Sequence, residues 1–465
     1  MRYFILLLIF LSICPATFGQ ALKLTKGAVN ENIAIYDSIK ETFSLYVPRD
    51  FDPENAYKIL FILDPDGSGI RASRLFLSEM VTDDFVIASN EWKLGDDLEA
   101  NVALAASMVQ RVVSSIRLDN NHIYAAGLEE GATTASGLTY ILRGFSGLLL
   151  INDVFYKNEH TNQNNKEIFL GLVGNASANY YKMSDVFDVL EAKDGHDDLY
   201  QYDGESGWPQ SNYLSSMFST LYFRVAEEAD ETISDSLVRR YFVNDSTTAE
   251  MLIRKKQYLI AYDFIDALKD KYRGKMKLSP LRKQISALRR DRGYGQARRE
   301  VNQNAEDEFF LKEDLGYFLE DDIATANFEN LGYWDERIRE FDTAAATPTK
   351  PYEQRVAKRM LGYVDNTINA YKMVLNSNAF STDQAIFYNV LRTVIDQKDY
   401  DSYLKIISLA AKDNDEKTAY FYLEKLLKND YKAYDALYEI PDTEVLHISP
   451  EYNALVKKYL GKSKF

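Results

Sequence analysis

The segment Gly127-Leu128-Glu129-Glu130-Gly131 has the residue types and spacing of a turn that presents a reactive side chain. An apolar run of strand length precedes it, and a helical pattern follows it. In such a strand-to-helix turn only small neighbours are tolerated, and the backbone N–H after the central residue can stabilise an oxyanion. The pattern therefore indicates a site for acyl chemistry, with Glu129 in the position of the nucleophile.

Short apolar runs alternate with helical patterns on either side of this turn, from about residue 20 to residue 228. Continuous apolar strands that alternate with helices predict a mostly parallel sheet covered on both faces, which is an α/β fold. The predicted strands are 42–47, 57–63, 85–89, 123–126, 148–151 and 168–173. The predicted helices are 73–80, 98–116, 130–142 and 212–228.

The strand pattern stops at a polar segment, residues 229–235, and only helical patterns follow. The predicted helices are 248–272, 280–299, 352–375, 382–395, 400–409, 416–427 and 451–460. Pairs of them, such as 401–411 with 418–427, indicate helix hairpins of a repeat array. We therefore predict an α/β domain over residues 20–230 and an all-α, helical-repeat-like domain over residues 231–465.

The first 19 residues have the pattern of a secretory signal peptide. A positive start is followed by an apolar run of about half the length needed to span a bilayer, and small residues precede a cut before Gln20. The only cysteine, Cys14, lies in this segment. We therefore expect an exported protein, periplasmic or secreted, with no integral membrane segment after signal removal and no disulfide or thiol chemistry.

Composition restricts the class of partner. The chain has 465 residues and 46% hydrophobic residues, enough for large cores, and its formal net charge is −16. A surface of that sign repels phosphates and argues against a nucleic-acid partner. A basic stretch over residues 273–299 is followed by an acidic one over 306–322. We interpret both as solvated helix faces that pair with each other, and an anion-binding patch remains the alternative.

Three stretches resemble the secreted esterases of the α/β-hydrolase fold, close to enterobactin esterases and S-formylglutathione hydrolases. They are Tyr46-Val-Pro-Arg49 with the strand and turn of residues 57–67, then residues 123–131, then Tyr202-Asp-Gly-Glu205. The resemblance covers about residues 40–225. Residues 419–442 also resemble the end of helical-repeat extensions found on some such proteins. The resemblance implies a serine, histidine and acid triad.

The positions that match this triad hold other residues. Glu129 stands at the serine, Gly207 stands where the histidine is expected, and Asn175 or Asn179 stands where the acid is expected. Because the three groups of a triad act as a unit, three losses predict a silent site in which Gly127, Glu129, Glu130 and Gly131 form a degenerate turn. We therefore expect a non-catalytic binding or scaffold module whose helical domain binds a protein partner.

Two catalytic alternatives remain open, both for a carboxylic-ester hydrolase. In one, Glu129 is a carboxylate nucleophile and His196 is its base, although a glutamate at this position also simply favours the positive start of a helix. In the other, the nucleophile is a displaced serine, Ser136 or Ser68.

Metal and cofactor sites are not expected. The histidines His122, His160, His196 and His447 are scattered and form no metal-binding pair on a helix. Asp64-Pro65-Asp66-Gly67 begins like a calcium loop, but Leu75 stands where that loop requires a bidentate glutamate. We predict a strand-end turn there, and no cofactor.

Overall fold

The computed structural model of the chain describes residues 24–36, 38–77, 85–157, 167–194, 197–375 and 380–465. The chain forms two compact units. The first contains the residues up to Val173 and Met183–Arg290, and the second contains Gly174–Lys182 and Asp291–Phe465. The predicted signal segment and Cys14 lie outside the described residues.

The first unit is built on a mixed sheet with the strand order β1-β2-β4-β3-β5-β6-β7-β8. Strands β1, β2 and β4 pair antiparallel, whereas β4, β3, β5, β6 and β7 pair parallel. The strands are β1 Val29–Ala34, β2 Thr42–Tyr46, β3 Tyr57–Leu63, β4 Phe85–Asn90, β5 Leu118–Leu128, β6 Gly147–Ile151, β7 Ile168–Gly174 and β8 Asp198–Tyr202.

Helices connect these strands and extend beyond them. They are α1 Gly69–Leu77, α2 Leu98–Val113, α3 Glu130–Ile141, α4 Tyr180–Asp194, α5 Ser211–Glu228, α6 Asp235–Arg254, α7 Tyr258–Lys271 and α8 Ser279–Arg290. Strands β4 and β6 are buried at every position, as the continuous apolar runs predict for a sheet covered on both faces. The parallel pairing brings the carboxyl ends of β3, β5, β6 and β7 to one edge of the sheet.

The second unit is all-helical in its described part. Its helices are α9 Arg292–Thr325, α10 Leu331–Ala345, α11 Pro351–Leu375, α12 Thr382–Ile395, α13 Tyr400–Lys412, α14 Glu416–Lys428, α15 Tyr434–Leu437, α16 Glu444–His447 and α17 Pro450–Leu460. One core gathers Leu315, Trp334 and Met360, and another gathers Ile406 and Leu423. No described helix combines the length and the apolarity that crossing a membrane requires.

The predicted fold class is confirmed: a mostly parallel, α/β-hydrolase-like sheet is followed by an all-α region. Some predicted elements differ in detail. The helix predicted over residues 248–272 is two helices that separate after Arg254, and the helix predicted over 280–299 is interrupted at Asp291. The domain boundary near residue 230 stays a prediction. When the chain is divided by its packing contacts, the first compact unit extends to Arg290. Helices α6, α7 and α8 therefore belong to the same unit as the sheet.

Candidate functional site

The turn after β5 has a strained backbone at Glu129. Its φ is 52° and its ψ is −116°, a conformation that residues other than glycine rarely adopt. The Glu129 N–H donates to the carbonyl oxygen of Ile151, 2.8 Å away at the end of β6, and the Glu129 carbonyl accepts from Ala132 in the first turn of α3. The sheet edge and the helix thus hold the turn from both sides, in the geometry predicted for a residue that presents its side chain.

The two glycines of the turn are required by space. A Cβ at Gly127 would overlap the carbonyl oxygen of Gly131, and a Cβ at Gly131 would overlap the carbonyl oxygen of Leu63 at the end of β3. Strands β3 and β5 are parallel neighbours, so α3 begins directly against the end of β3. The spacing of the glycines therefore reflects close backbone packing at this edge of the sheet.

The Glu129 carboxylate is half-buried and receives two hydrogen bonds. The backbone N–H of Gly207 donates to Oε1 over 3.3 Å, and the side-chain amide of Asn152 also hydrogen-bonds it. Burial raises the pKa of the Glu129 carboxyl, the Gly207 hydrogen bond opposes that rise, and the negative charge of Glu130 adds to it. The donors that hold this carboxylate are amides.

The loop after β8 holds Gly207 at the position where the resemblance implies a histidine. Gly207 has a φ of 82°, and its carbonyl oxygen accepts a hydrogen bond from the Tyr202 hydroxyl over 3.0 Å. The indole N–H of the next residue, Trp208, donates to the buried Asp64 carboxylate over 2.7 Å. This loop is therefore anchored to the sheet edge by phenol and indole groups.

Asn152 is a site residue that sequence analysis missed. It follows β6, is 1% exposed and has a φ of 59°. Its amide donates to the Tyr202 hydroxyl over 2.7 Å, as well as hydrogen-bonding Glu129. A polar residue directly after the apolar run 148–151 was the only signal that could have identified it.

The residues at the acid position belong to the second unit. The carbonyl oxygen of Asn175 accepts a hydrogen bond from Arg359 of α11 over 2.7 Å, and the side chain of Asn179 accepts one from Asn366 over 2.8 Å. Arg359 also pairs with Glu308 of α9. These contacts give Asn175 and Asn179 a packing role within the helical unit.

The displaced-serine alternative meets two different environments. Ser136 is fully buried inside α3, where its hydroxyl donates to Ala132 and accepts from the Phe155 N–H over 2.9 Å. Ser68 is half-buried in the turn after β3, and its N–H donates to the Asp64 carboxylate. Burial and complete hydrogen bonding argue against Ser136 as a nucleophile.

The Asp64 side chain closes the turn that sequence analysis predicted. Its Oδ1 accepts hydrogen bonds from the N–H groups of Asp66 and Ser68. The Gly67 N–H donates to the backbone carbonyl oxygen of Asp64. Such a carboxylate caps a turn through the pattern that aspartate favours after a strand. In the described residues no group of three potential metal ligands occurs.

The histidines fall into two sets. His160 and His196 lie outside the described residues, so the role of His196 as a base stays a prediction. His122 is fully buried in β5, where its ring nitrogens hydrogen-bond Glu231 over 2.7 Å and the Tyr124 hydroxyl over 2.8 Å. His447 is buried in the second unit and hydrogen-bonds Thr443 over 2.7 Å. Both described histidines are structural.

No family model matches the chain, and no curated protein matches it. Among solved structures, it is similar to an S-formylglutathione hydrolase from Staphylococcus aureus, with 13% identity over 44% of this chain and 100% of that one, at a TM-score of 0.34. It is also similar to a butyrate-bound esterase from Thermogutta terrifontis, with 12% identity over 44% of this chain and 92% of that one, at a TM-score of 0.32. Structural similarity at this level says nothing about activity. The α/β-hydrolase-like fold is assigned from the strand order and from the strand-to-helix turn at Glu129.

Proposed function

We propose that this protein is a catalytically silent member of the α/β-hydrolase-fold class that acts as a binding or scaffold module. The observation that carries the proposal is the environment of Glu129. Its carboxylate occupies the nucleophile position and accepts the N–H of Gly207, the residue at the expected histidine position. The hydrogen-bonded Glu129 and Gly207 therefore stand where a hydrolase would have its nucleophile and its base.

The chemistry of serine hydrolysis explains why this arrangement is silent. The hydroxyl needs a base to remove its proton, and the base needs an acid to orient it. Here the three positions hold a carboxylate, a glycine and an asparagine, and the hydrogen bonds to Glu129 come from amides.

The carboxylate-nucleophile hypothesis is the second candidate, and one observation favours it. Glu129 keeps the strained φ and ψ that present a side chain at the sheet edge. Such chemistry also requires a base, and His196 is the residue proposed for that role. Asp197, the next residue in the chain, accepts the N–H of Phe169 at the start of β7, the edge of the sheet opposite to Glu129.

We further propose that the protein is exported and that its helical unit supplies the partner surface. The support for export is the charged, apolar and small-residue pattern of residues 1–19. The amino-terminal sequence of the exported protein should begin at Gln20 or within a few residues of it. A mature chain that keeps Met1, or that carries a lipid on Cys14, would disprove export by this route.

The Glu129→Ser variant tests the silent-site proposal. Replacing the carboxylate by a hydroxyl restores one member of a triad, and since the members act as a unit the variant should hydrolyse activated acyl esters no faster than wild type. Glu129→Gln is the matched control, because it removes the charge without adding a nucleophile. A serine variant that turns over esters and is labelled at residue 129 by a fluorophosphonate would show that a working base is present.

A further inference from the structure

The longest helix of the second unit, α9, leaves one of its faces open to solvent. It has 34 residues and is therefore about 51 Å long. The residues that it buries, among them Leu315, Leu319 and Ile323, lie on the face that packs into the helical core. Between Tyr294 and Leu315 it buries no residue, and for about six turns the residues that face away from the core are mostly exposed.

Three large aromatic side chains lie on this open face. Phe309 is 56% exposed, Phe310 is 55% exposed and Tyr317 is 69% exposed. At 100° per residue, all three fall within about 60° of the direction of Glu306. Clustered exposed aromatic rings on a helix are a feature of surfaces that bind another protein chain.

A row of charges runs along the same face with a spacing of seven residues. It consists of Arg292, Arg299, Glu306, Glu313 and Glu320, and all five are exposed. None of them makes an ion pair or a hydrogen bond within the described part of the chain. A seven-residue repeat keeps side chains on one seam of a helix that pairs with another helix.

The order of the charges along this row identifies the partner. It reads positive, positive, negative, negative, negative from the start of α9 to its end. A parallel copy would place like charges against each other. An antiparallel copy centred on Glu306 would place Arg299 against Glu313 and Arg292 against Glu320, and the two-fold symmetry would form each pair twice.

The same register gives two of the aromatic side chains different surroundings. It places Tyr317 against Gly295 of the other copy, and around Gly295 the space for a Cβ is open. It also places Phe310 against Asn302, which is exposed and polar. Within the charged row, the unfavourable contact is between the two Glu306 carboxylates at the axis of the pair, where their repulsion opposes association.

We propose that the open face of α9 binds the same face of a second copy of this chain, in an antiparallel helix pair centred on Glu306. The proposal does not depend on whether the Glu129 site is silent. It assigns to α9 a role in self-association. The pairing of the basic and acidic stretches that we expected from the sequence was within one chain, whereas this pairing is between two copies.

Charge reversal tests the pairing in the full-length chain. Wild type should sediment as a dimer at micromolar concentration. Arg299→Glu places like charges at two contacts of each dimer and should weaken the dimerisation constant at least about tenfold. The double variant Arg299→Glu with Glu313→Arg restores both contacts and should recover the dimer. Arg282→Glu, on an exposed site of α8, is the matched control and should leave the mass unchanged.

The axis is tested by two further changes. Glu306→Gln removes the carboxylate repulsion and should tighten the dimer. In a chain with Cys14→Ser, Glu306→Cys should form an intermolecular disulfide on mild oxidation, whereas Arg282→Cys should not. The proposal is overturned by a wild type that stays monomeric at concentrations well above the micromolar range. It is also overturned by a double variant that dimerises as weakly as Arg299→Glu, or by equal cross-linking at both cysteines.

Discussion

Glu129 combines a strained backbone with a half-buried charge, and both have consequences for stability. Residues held in such conformations cost of the order of 1–3 kcal/mol unless their surroundings stabilise them. Here the surroundings are the two glycines, the carbonyl of Ile151 and the first turn of α3. The amides of Gly207 and Asn152 compensate in part for taking the carboxylate out of water.

The raised pKa of Glu129 predicts a pH-dependent effect of Glu129→Gln. Because the folded pKa lies above the unfolded value of 4.5, the folded state binds the proton more tightly, so this group's contribution is greatest below pH 4.5 and is lost as the pH rises through the folded pKa. The glutamine variant lacks this loss. Its melting temperature relative to wild type should therefore be lowest near pH 4 and should rise towards pH 8.

Thermal unfolding from pH 4 to pH 8 measures this difference. The control is Glu54→Gln at an exposed position in the loop before β3, where a surface substitution usually changes stability by less than about 0.5 kcal/mol. A difference for Glu129→Gln that falls as the pH rises would show that the folded protein favours the ionised form.

At the scale of elements, helix α11 lies directly against the loop that follows β7. A Cβ at Gly362 would overlap the backbone of Ala178, whereas a Cβ at Gly332 in α10 would have no neighbour within 4 Å. In an open helix, replacing glycine by alanine stabilises by up to about 1 kcal/mol. In a packed contact the added methyl group costs about 1–3 kcal/mol.

We therefore expect Gly362→Ala and Gly332→Ala to change stability in opposite directions. The first should lower the free energy of unfolding and the second should leave it unchanged or raise it slightly. Urea unfolding of the two variants, followed by helical circular dichroism, measures both. Equal effects would mean that the Asn175–Asn179 segment does not pack against α11 as described.

The central elements of the sheet could be predicted because their sequences are continuous apolar runs. Residues 57–63 form the predicted strand, and the turn at Glu129 lies where the glycines indicate. Strands β1 and β8 were not predicted, since β1 is largely polar and exposed and β8 is only partly buried. Their residues become strands through pairing in the sheet, which local sequence does not encode.

The candidate site was predictable only in part. The assignment of residues to the three triad positions rests on the resemblance and stays a prediction. The interaction of Gly207 and Asn152 with Glu129 depends on which strand ends meet at the sheet edge. The grouping of Asn175–Asn179 with the helical unit also depends on tertiary packing. Neither the contacts of Glu129 nor this grouping can be read from the spacing of residues along the sequence.

At the scale of the whole molecule, we propose separate roles for the two units. The sheet unit keeps the backbone geometry of a hydrolase turn but holds a carboxylate in it. The helical unit has separate cores and, on α9, a long face with exposed aromatic rings and ordered charges. A net charge of −16 disfavours unspecific self-association, so contacts between copies need a local charge match of the kind proposed for α9.

The most direct test of the silent site is the hydrolysis of p-nitrophenyl acetate by the purified full-length protein. We predict that wild type is no faster than Glu129→Gln at the same concentration, since in the silent site that we propose neither chain has a nucleophile paired with a base. A wild-type rate that exceeds that of Glu129→Gln and is lost in His196→Ala would contradict the account and establish Glu129 as a carboxylate nucleophile.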